Sequence, residues 1–440
     1  MSSRNLDRTL GLRDLSLLVV GVVIGSGIFI VPATVLSQVG GDVGIAQLVW
    51  LAGGLLALIG ALTLGEVGAA RPQTGGLYVF LRDAFGPLPA FLFGWTMFLA
   101  IGAGATAALG AAFAGYVGQF VNLPLPIARS ISVLMVAAVA FINIRGTRGS
   151  TSVQNWTTGF KMIALLAMAA ALIIAGPGLG AYGESGMPHG LGLSVLPSAG
   201  VAIIGVLWAY EGWSWVSFSV GEAKDAARTF PRAMAIGTVA IIALYSISNY
   251  AYVAVLGPER AMASTGIAAE AVSVAYGGVA GRFVAAAILV AIFSAANGTM
   301  LTASRVFFAM ARDGLFFRSL ARIHPRHGTP ATSITALALW AMVLAASGTF
   351  EQLLTYAVFT AWIFYALGAA TVFVFRQREP ATDRPFGVPG YPVTPAIFII
   401  VAAAIVVNTI VEQPARAGVG LAVVFAGVPA YLVWRGRRAT

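Results

Sequence analysis

Residues 21–32 read GVVIGSGIFIVP, and they lie in the middle of an apolar run that extends from about residue 15 to residue 39. The run is long enough for a membrane-spanning helix, which needs about 20 mostly apolar residues. Gly25, Ser26 and Gly27 interrupt it near its centre. Each glycine inside a helix costs roughly 1 kcal/mol relative to alanine, so this pattern predicts a spanning helix that breaks at mid-membrane.

A second interrupted run covers residues 195–220, where residues 205–215 read GVLWAYEGWSW. Glu211 stands beside a glycine at membrane depth, and a carboxylate there is costly unless the site is hydrated or paired. Two hydrophobic segments interrupted near their centres, five helices apart, are typical of a transporter binding site. Glycine-rich helices also occur in membranes for packing alone, but packing gives no reason for Glu211.

The two breaks also indicate the kind of solute. A break exposes backbone N–H groups, which favour anions, and C=O groups, which favour cations. A free amino acid carries a carboxylate and an ammonium on one carbon, so it satisfies both kinds of group at once. The pattern therefore predicts a carrier of free amino acids.

Composition places the whole chain in lipid. Of its 440 residues, 59% are hydrophobic and 10% are charged, and the mean hydropathy is +0.88. Soluble domains carry about 25% charged residues, so a soluble chain of this composition could not cover its own surface. No predicted span contains His, Cys or paired Asp. A membrane-embedded enzyme is therefore disfavoured, no metal or other cofactor is expected, and neither charge rings nor a repeated filter sequence indicate a channel.

Twelve apolar segments have the length of a spanning helix, and the alternating pattern of an outer-membrane barrel is absent. We therefore expect an all-α polytopic membrane protein. The predicted spans lie near residues 15–39, 43–70, 86–119, 125–144, 153–175, 195–220, 232–256, 277–311, 331–349, 350–375, 391–411 and 417–435.

Positive charge tests this topology, because cytoplasmic loops carry an excess of Lys and Arg. With both termini inside, 21 of the 26 fall in cytoplasmic segments, and the other side holds Arg129, Arg260, Arg282 and Arg416. The net charge of +10 is thus assigned to the membrane surface rather than to nucleic acid. We expect a multi-pass protein of the cytoplasmic (inner) membrane with both termini in the cytoplasm.

The remaining cation, Lys161, lies inside the fifth predicted span. An ionisable residue within the membrane is a functional candidate by default. The alternative is that Lys161 extends its side chain to the cytoplasmic interface, since helical rise puts it only about 12 Å deep.

The order and spacing of several short motifs resemble those of a known family. They are GSGIF at residues 25–29, GEVG at 65–68, PQTGGLY at 72–78, WAYEGW at 208–213, the run 297–305, ARDG at 311–314 and TP at 329–330. With these motifs the chain resembles the amino acid–polyamine–organocation superfamily over nearly its whole length. Within it, the chain is similar to the bacterial relatives of the L-type amino acid transporters.

The resemblance implies a LeuT-like fold of two inverted five-helix repeats, with two further helices at the C-terminus. The first repeat would cover residues 1–175, the second residues 195–375, and helices 11 and 12 residues 391–435 of one transmembrane domain. The backbone at Ile24, Gly25, Ser26, Gly27 and Ile28 would receive the substrate carboxylate. The substrate ammonium would meet carbonyls of Val22, Val23, Trp208, Ala209 and Glu211.

Side-chain roles follow from the same resemblance. Trp208 would be an aromatic gate, the alternative being simple core packing. Lys161 would replace a sodium ion and hold the first helix near its break against the eighth, with Ser294 and Asn297 near its ammonium. Glu66 is expected to be an interfacial pairing residue.

The implied function is sodium-independent exchange of neutral L-amino acids by alternating access. Glu211 leaves alternatives open: it would bind the substrate amine, carry a proton, or hydrogen-bond the seventh helix. If it attracts an extra positive charge, the carrier would take cationic amino acids or polyamines, by exchange or with protons. Because the chain has no cysteine, no disulfide-linked accessory subunit is expected.

Overall fold

The computed structural model describes residues 6–183, 187–188, 195–347 and 350–436. The regular structure of these residues is helical, and among them β-type pairing is limited to a single bridge between Leu10 and Ala223. The first part of the chain forms α1 (Leu12–Val23), α2 (Gly27–Gln38), α3 (Val43–Ala70), α4 (Leu77–Phe85), α5 (Pro87–Thr96), α6 (Gly102–Val117), α7 (Leu125–Ile144) and α8 (Thr147–Ala175). The second part forms α9 (Leu196–Ala209), α10 (Ala226–Leu256), α11 (Pro258–Ala263), α12 (Ile267–Tyr276), α13 (Gly278–Arg312), α14 (Ala331–Ser347), α15 (Phe350–Arg378), α16 (Val393–Glu412) and α17 (Pro414–Gly436).

The described residues contain nine helices that are long and apolar enough to cross a membrane, and the bent pair α1 and α2 raises this number to ten. These ten match ten of the predicted spans. The third is continuous from Pro87 to Val117, because a π-helical turn at Met97–Ile101 joins α5 to α6. The multi-pass, all-helical class is thus confirmed.

The sixth and ninth predicted spans are shorter than expected. The sixth consists of α9, with 14 residues, followed by a turn and a 3-10 helix at Trp215–Glu222. The ninth, α14, has 17 residues and ends where residues 348–349 fall outside the described part of the chain. The break therefore accounts for the short helix in the sixth segment.

Glycines allow the helices to approach closely around the breaks. A Cβ at Gly53 of α3 would lie 2.5 Å from a methyl carbon of Val206 on α9. Helix α1 packs against α8, α10 and α13, and α2 packs against α9. The two interrupted segments therefore lie side by side inside the helix bundle.

Between the seventh and eighth spans, the chain forms two short helices, α11 and α12. Helix α12 packs on α2, α8, α10 and α13. Residues 184–186 and 189–194, which include His189, lie outside the described part of the chain.

Candidate functional site

The first interruption separates two helices. Helix α1 ends at Val23, α2 begins at Gly27, and the two axes differ in direction by 49°. The last amides before the turn still have backbone acceptors: Ile24 N donates to Val20 O at 2.9 Å, and Gly25 N donates to Val23 O at 2.8 Å. The predicted break is confirmed at the Gly-Ser-Gly sequence.

Three amide groups at the start of α2 have no acceptor within the described residues: those of Ser26, Gly27 and Ile28. They stand at the N-terminus of a 12-residue helix, where the peptide dipoles leave a partial positive charge. Such an end is suited to a carboxylate. Of the five backbone positions expected to meet the substrate carboxylate, these three have free donors, whereas Ile24 and Gly25 do not.

The second interruption follows α9. The chain turns at residues 210–214 and continues in the 3-10 helix Trp215–Glu222. Gly212 adopts a φ of 114°, and a Cβ there would lie 2.6 Å from Val22 Cγ1. Glycine is required on both counts, because the backbone is left-handed and α1 approaches too closely for a side chain.

The two breaks contact each other directly. A Cβ at Gly27 would lie 2.7 Å from Ala209 Cα and 3.4 Å from Trp208. Between the breaks lies a small cavity with about 50 Å³ of space for water. Its lining combines both breaks with residues of α6 and α13: Val22, Val23, Gly25, Ser26, Gly27, Ala105, Leu109, Trp208, Ala209, Glu211, Gly212, Trp215 and Thr299.

The carbonyl groups expected to meet a substrate ammonium divide into two sets. Val23 O and Ala209 O accept hydrogen bonds from the Tyr245 hydroxyl at 3.2 and 3.0 Å, and Trp208 O accepts from Glu211 N at 2.9 Å. The carbonyls of Val22 and Glu211 receive no hydrogen bond within the described residues. These two are the acceptors with free capacity beside the cavity.

Lys161 reaches the first break from α8. Its side chain is buried, and Nζ donates to Gly21 O at 2.7 Å and to Ile24 O at 2.6 Å. These carbonyls belong to the C-terminal end of α1, where the helix dipole favours a cation. Extension of the side chain to the cytoplasmic interface is therefore wrong for this lysine.

Glu211 is bound to the tenth predicted span rather than to the seventh. Its Oε1 accepts a hydrogen bond from Trp215 Nε1 at 3.1 Å and a further one from the Tyr365 hydroxyl on α15. Of the three roles left open for Glu211, the hydrogen bond to the seventh helix is not formed among the described residues, and the hydroxyl of Tyr245 on α10 donates to Val23 O and Ala209 O instead. The second oxygen, Oε2, is buried beside the cavity and has no partner among the described residues.

With this geometry in place, the sequence itself matches the family described as amino acid permease, over residues 10–431. The chain belongs to the amino acid permease family. It is accordingly a multi-pass membrane protein of a family of amino acid transporters, and the resemblance to the amino acid–polyamine–organocation superfamily is confirmed.

Relatives of known name cover nearly the whole permease. It is 30% identical over 439 residues to the serine/threonine exchanger SteT of Bacillus subtilis (strain 168), a match that covers 99% of this chain and 98% of the relative. It is 31% identical over 427 residues to the b(0,+)-type amino acid transporter 1 of Mus musculus, covering 94% and 85%. It is 30% identical over 442 residues to the large neutral amino acids transporter small subunit 2 of Oryctolagus cuniculus, covering 97% and 80%.

In the permease, Ser294 and Asn297 join α13 to α8 without bonding to the Lys161 ammonium. Ser294 Oγ accepts from Thr157 Oγ1 at 2.8 Å, one turn from Lys161. Asn297 bonds to a group deeper in the bundle: its Nδ2 donates to Gln154 Oε1 at 2.9 Å, and its Oδ1 accepts from Asn143 Nδ2 at 2.9 Å. The expected connection between the first span and the eighth, which is α13, is therefore indirect. Lys161 bonds to the C-terminal end of α1, and its neighbours on α8 bond to α13.

Two of the ion pairs between helices among the described residues involve buried carboxylates. Glu66 accepts from Arg376 Nε at 2.8 Å and Nη2 at 2.7 Å, so its role as a pairing residue is confirmed. Glu222 and Arg305 form a fully buried pair at 2.8 Å, which was not predicted from the sequence. The signal that could have found it is an acidic residue in the broken sixth span and a basic one in the eighth.

Proposed function

We propose that the permease exchanges neutral L-amino acids across the cytoplasmic membrane without sodium, by alternating access. The observation that carries this proposal is the position of Lys161 Nζ, 2.7 and 2.6 Å from two carbonyl oxygens at the first break. Carbonyls at the end of a half-helix are where sodium-coupled carriers of broken-helix type bind their ion. An ammonium that already occupies these acceptors supplies the positive charge without a dissolved cation.

The free backbone groups on the two breaks support one position for the substrate. Its carboxylate bonds to the amides of Ser26, Gly27 and Ile28, and its ammonium to the carbonyls of Val22 and Glu211. Trp208, which is half-buried on the cavity wall, closes over the bound molecule as a gate. The cavity is small, with about 50 Å³ of space for water, and we expect substrate binding to widen it.

The proposed architecture is LeuT-like, with twelve spans. Helices α1 to α8 form the first five spans, α9 to α15 the next five in inverted orientation, and α16 and α17 the last two. Two observations support the repeat: each proposed half begins with a broken segment, and the two broken segments contact each other. Half-helices at these breaks would tilt about a fixed midplane site, which is how such carriers alternate access.

The names of the relatives support exchange of neutral substrates. One is a serine/threonine exchanger and another a transporter of large neutral amino acids. The narrow, mostly apolar wall formed by Ala105, Leu109 and Thr299 suits a small side chain. We therefore place serine, threonine and alanine first among the substrates.

Reconstituted transport tests the proposal. Purified permease in liposomes is loaded with unlabelled L-serine and supplied with labelled L-serine outside, in buffers that contain either sodium or choline. We expect uptake to be equal in the two buffers and to fall to background when the lumen holds no amino acid. Strict dependence on external sodium would refute the mechanism, and uptake into empty liposomes driven by a pH gradient would replace exchange with proton symport.

A second candidate function rests on Glu211. Its unpartnered, buried Oε2 lies beside the cavity, where it would attract the extra positive charge of a cationic amino acid or a polyamine. In the same liposomes, excess L-arginine, L-lysine or putrescine would then inhibit uptake of labelled L-serine more strongly than L-alanine does. Glu211→Gln would remove this inhibition, whereas inhibition by L-alanine would be unchanged.

A further inference from the structure

A large cavity among the described residues lies away from the breaks. It measures about 1230 Å³ and opens between the N-terminal segment, α1, α8 and α10. These three helices pack against one another, and all of them begin at the same end of the cavity. We call this cavity the α1–α8–α10 groove.

One end of the groove is basic. Arg8, Arg13 and Lys224 line it with exposed side chains, and none of them forms an ion pair within the described residues. The single acidic residue on the lining, Asp14, is already bonded by Asn155 Nδ2 at 2.6 Å and by Gly11 N at 2.9 Å. These donors are neutral, so the lining of this end keeps a net positive charge, with three cations against one carboxylate.

Polar groups without partners lie at the same end. The hydroxyl oxygens of Ser16 and Thr151 and the Oδ1 atom of Asn155 are buried and have no hydrogen-bond partner among the described residues. All three residues line the groove. A ligand with hydrogen-bonding groups in its polar part would match them.

The other end of the groove is apolar. Trp156, Phe160 and Ile163 lie on one face of α8 and are 80%, 50% and 69% exposed. Ile236 of α10 faces them from the opposite wall and is 52% exposed. From Thr151 to Ile163 the helical rise amounts to roughly 18 Å, comparable with the thickness of one leaflet of a 30 Å hydrocarbon layer.

We propose that the α1–α8–α10 groove binds one anionic phospholipid. Its phosphate lies between Arg8, Arg13 and Lys224, and one acyl chain runs along the α8 face past Phe160 and Ile163. Basic residues at a membrane surface attract anionic headgroups, and a free phosphate would leave the apolar length of the groove uncovered. The proposal rests on the membrane placement of the helices but not on which amino acid is carried.

The bound lipid has a mechanical consequence. The ammonium of Lys161 on α8 donates to the carbonyl oxygens of Gly21, which lies in α1, and of Ile24, which directly follows α1. A lipid that covers the seam between α1 and α8 would hold these helices together at the end where α1 must tilt.

Native mass spectrometry of the purified permease tests the proposal. The protein is extracted from liposomes with equal amounts of phosphatidylglycerol and phosphatidylethanolamine, and the lipids that stay bound are identified. We expect one phosphatidylglycerol to be retained in preference. The triple variant Arg8→Gln, Arg13→Gln, Lys224→Gln should bind phosphatidylglycerol roughly a hundredfold more weakly, since each neutralised cation accounts for about fivefold.

A second variant tests the apolar end without a change in charge. Gly159 lines the groove, and a Cβ there would meet nothing within 4 Å, so we expect the side chain of Gly159→Trp to start in open space and to fill the groove. It should also abolish retention of phosphatidylglycerol. Gly149→Trp is the matched control on the same helix, because its Cβ also meets nothing within 4 Å and it lies outside the groove.

The charge control is Arg318→Gln, Arg322→Gln, Arg326→Gln, which removes three exposed cations outside the groove. Retention that survives both controls and is lost in both groove variants supports the proposal. Equal retention of the two lipids by the wild type, or equal loss in the charge control, would overturn it. Displacement of phosphatidylglycerol by excess inorganic phosphate would also overturn it, because the site would then bind a soluble anion.

Discussion

At the scale of single residues, the contact between the two breaks depends on the absence of a side chain at position 27. A Cβ there would come within 2.7 Å of Ala209 Cα, a backbone atom that cannot turn aside. We therefore expect Gly27→Ala to abolish amino acid uptake in liposomes while membrane insertion stays normal. At Gly25 the Cβ would meet only side-chain atoms of Leu109 and Ala295, at 3.2 and 3.3 Å, so Gly25→Ala should retain reduced uptake and Gly25→Leu should not.

The control for these glycine variants is Gly115→Ala on α6, where a Cβ meets nothing within 4 Å. It should transport like the wild type. Normal uptake by both Gly27→Ala and Gly25→Leu would show that the substrate binds elsewhere.

Lys161 gives a second prediction at this scale. Lys161→Gln removes the positive charge that bridges Gly21 O and Ile24 O, and hydrogen bonds to charged groups contribute about 1.5–3 kcal/mol each. Because 1.4 kcal/mol is a factor of ten, we expect exchange to fall roughly tenfold or more. Initial rates of labelled L-serine uptake measure this, with Arg318→Gln as a control for loss of an exposed cation. Unchanged exchange in sodium-free buffer would contradict the role given to Lys161.

At the scale of helices, Asn297 connects three of them. From α13 it bonds to Asn143 on α7 and to Ser150 and Gln154 on α8, all inside the bundle. In Asn297→Leu these partners stay buried but lose their hydrogen bonds to the Asn297 amide, and each unsatisfied group lowers the free energy of unfolding by about 1–3 kcal/mol. We expect the unfolding temperature in detergent to fall by several degrees. Asn408→Leu on α16 should change it little, because the Asn408 amide nitrogen has no partner among the described residues.

The buried ion pair between α13 and the broken sixth span gives another prediction at this scale. Glu222 and Arg305 are each 1% exposed and are joined by two hydrogen bonds, at 2.8 and 3.1 Å. Removal of one partner from such a pair costs about 3–5 kcal/mol, whereas an apolar replacement of both is often nearly neutral. Glu222→Leu should therefore lower the unfolding temperature more than Glu222→Leu combined with Arg305→Met. Additive losses in the double variant would mean that the pair is not energetically coupled.

At the scale of the whole molecule, local sequence predicted the breaks but not the walls around them. Gly-Ser-Gly and Glu-Gly weaken a helix where they stand, so both interruptions could be placed from the residues themselves. Thr299 and Ala105 carry no such signal, because their place at the cavity follows from how α13 and α6 pack. Tyr365 binds Glu211, which lies 154 residues away in the sequence. The local pattern of a single sequence does not predict a contact over such a separation.

The lengths of most spans could also be predicted from local sequence, and the exceptions have physical causes. Ten apolar segments became helices long enough to span, because in lipid every backbone group must bond within its own helix. The sixth did not, since its turn at residues 210–214 exposes backbone groups to a cavity between helices. An interruption of this kind is tolerated only where protein surrounds it.

The orientation of the molecule gives the last prediction. Cytoplasmic segments of the proposed topology hold 21 of the 26 Lys and Arg residues, and such an excess marks the cytoplasmic side. The chain has no cysteine, so a single one can be introduced without removing any other. Asn122→Cys lies in the loop before α7, Ser319→Cys lies between α13 and α14, and both positions are exposed. In intact cells a membrane-impermeant maleimide should label Asn122→Cys, and it should label Ser319→Cys only after the cells are permeabilised; the reverse pattern would place both termini outside.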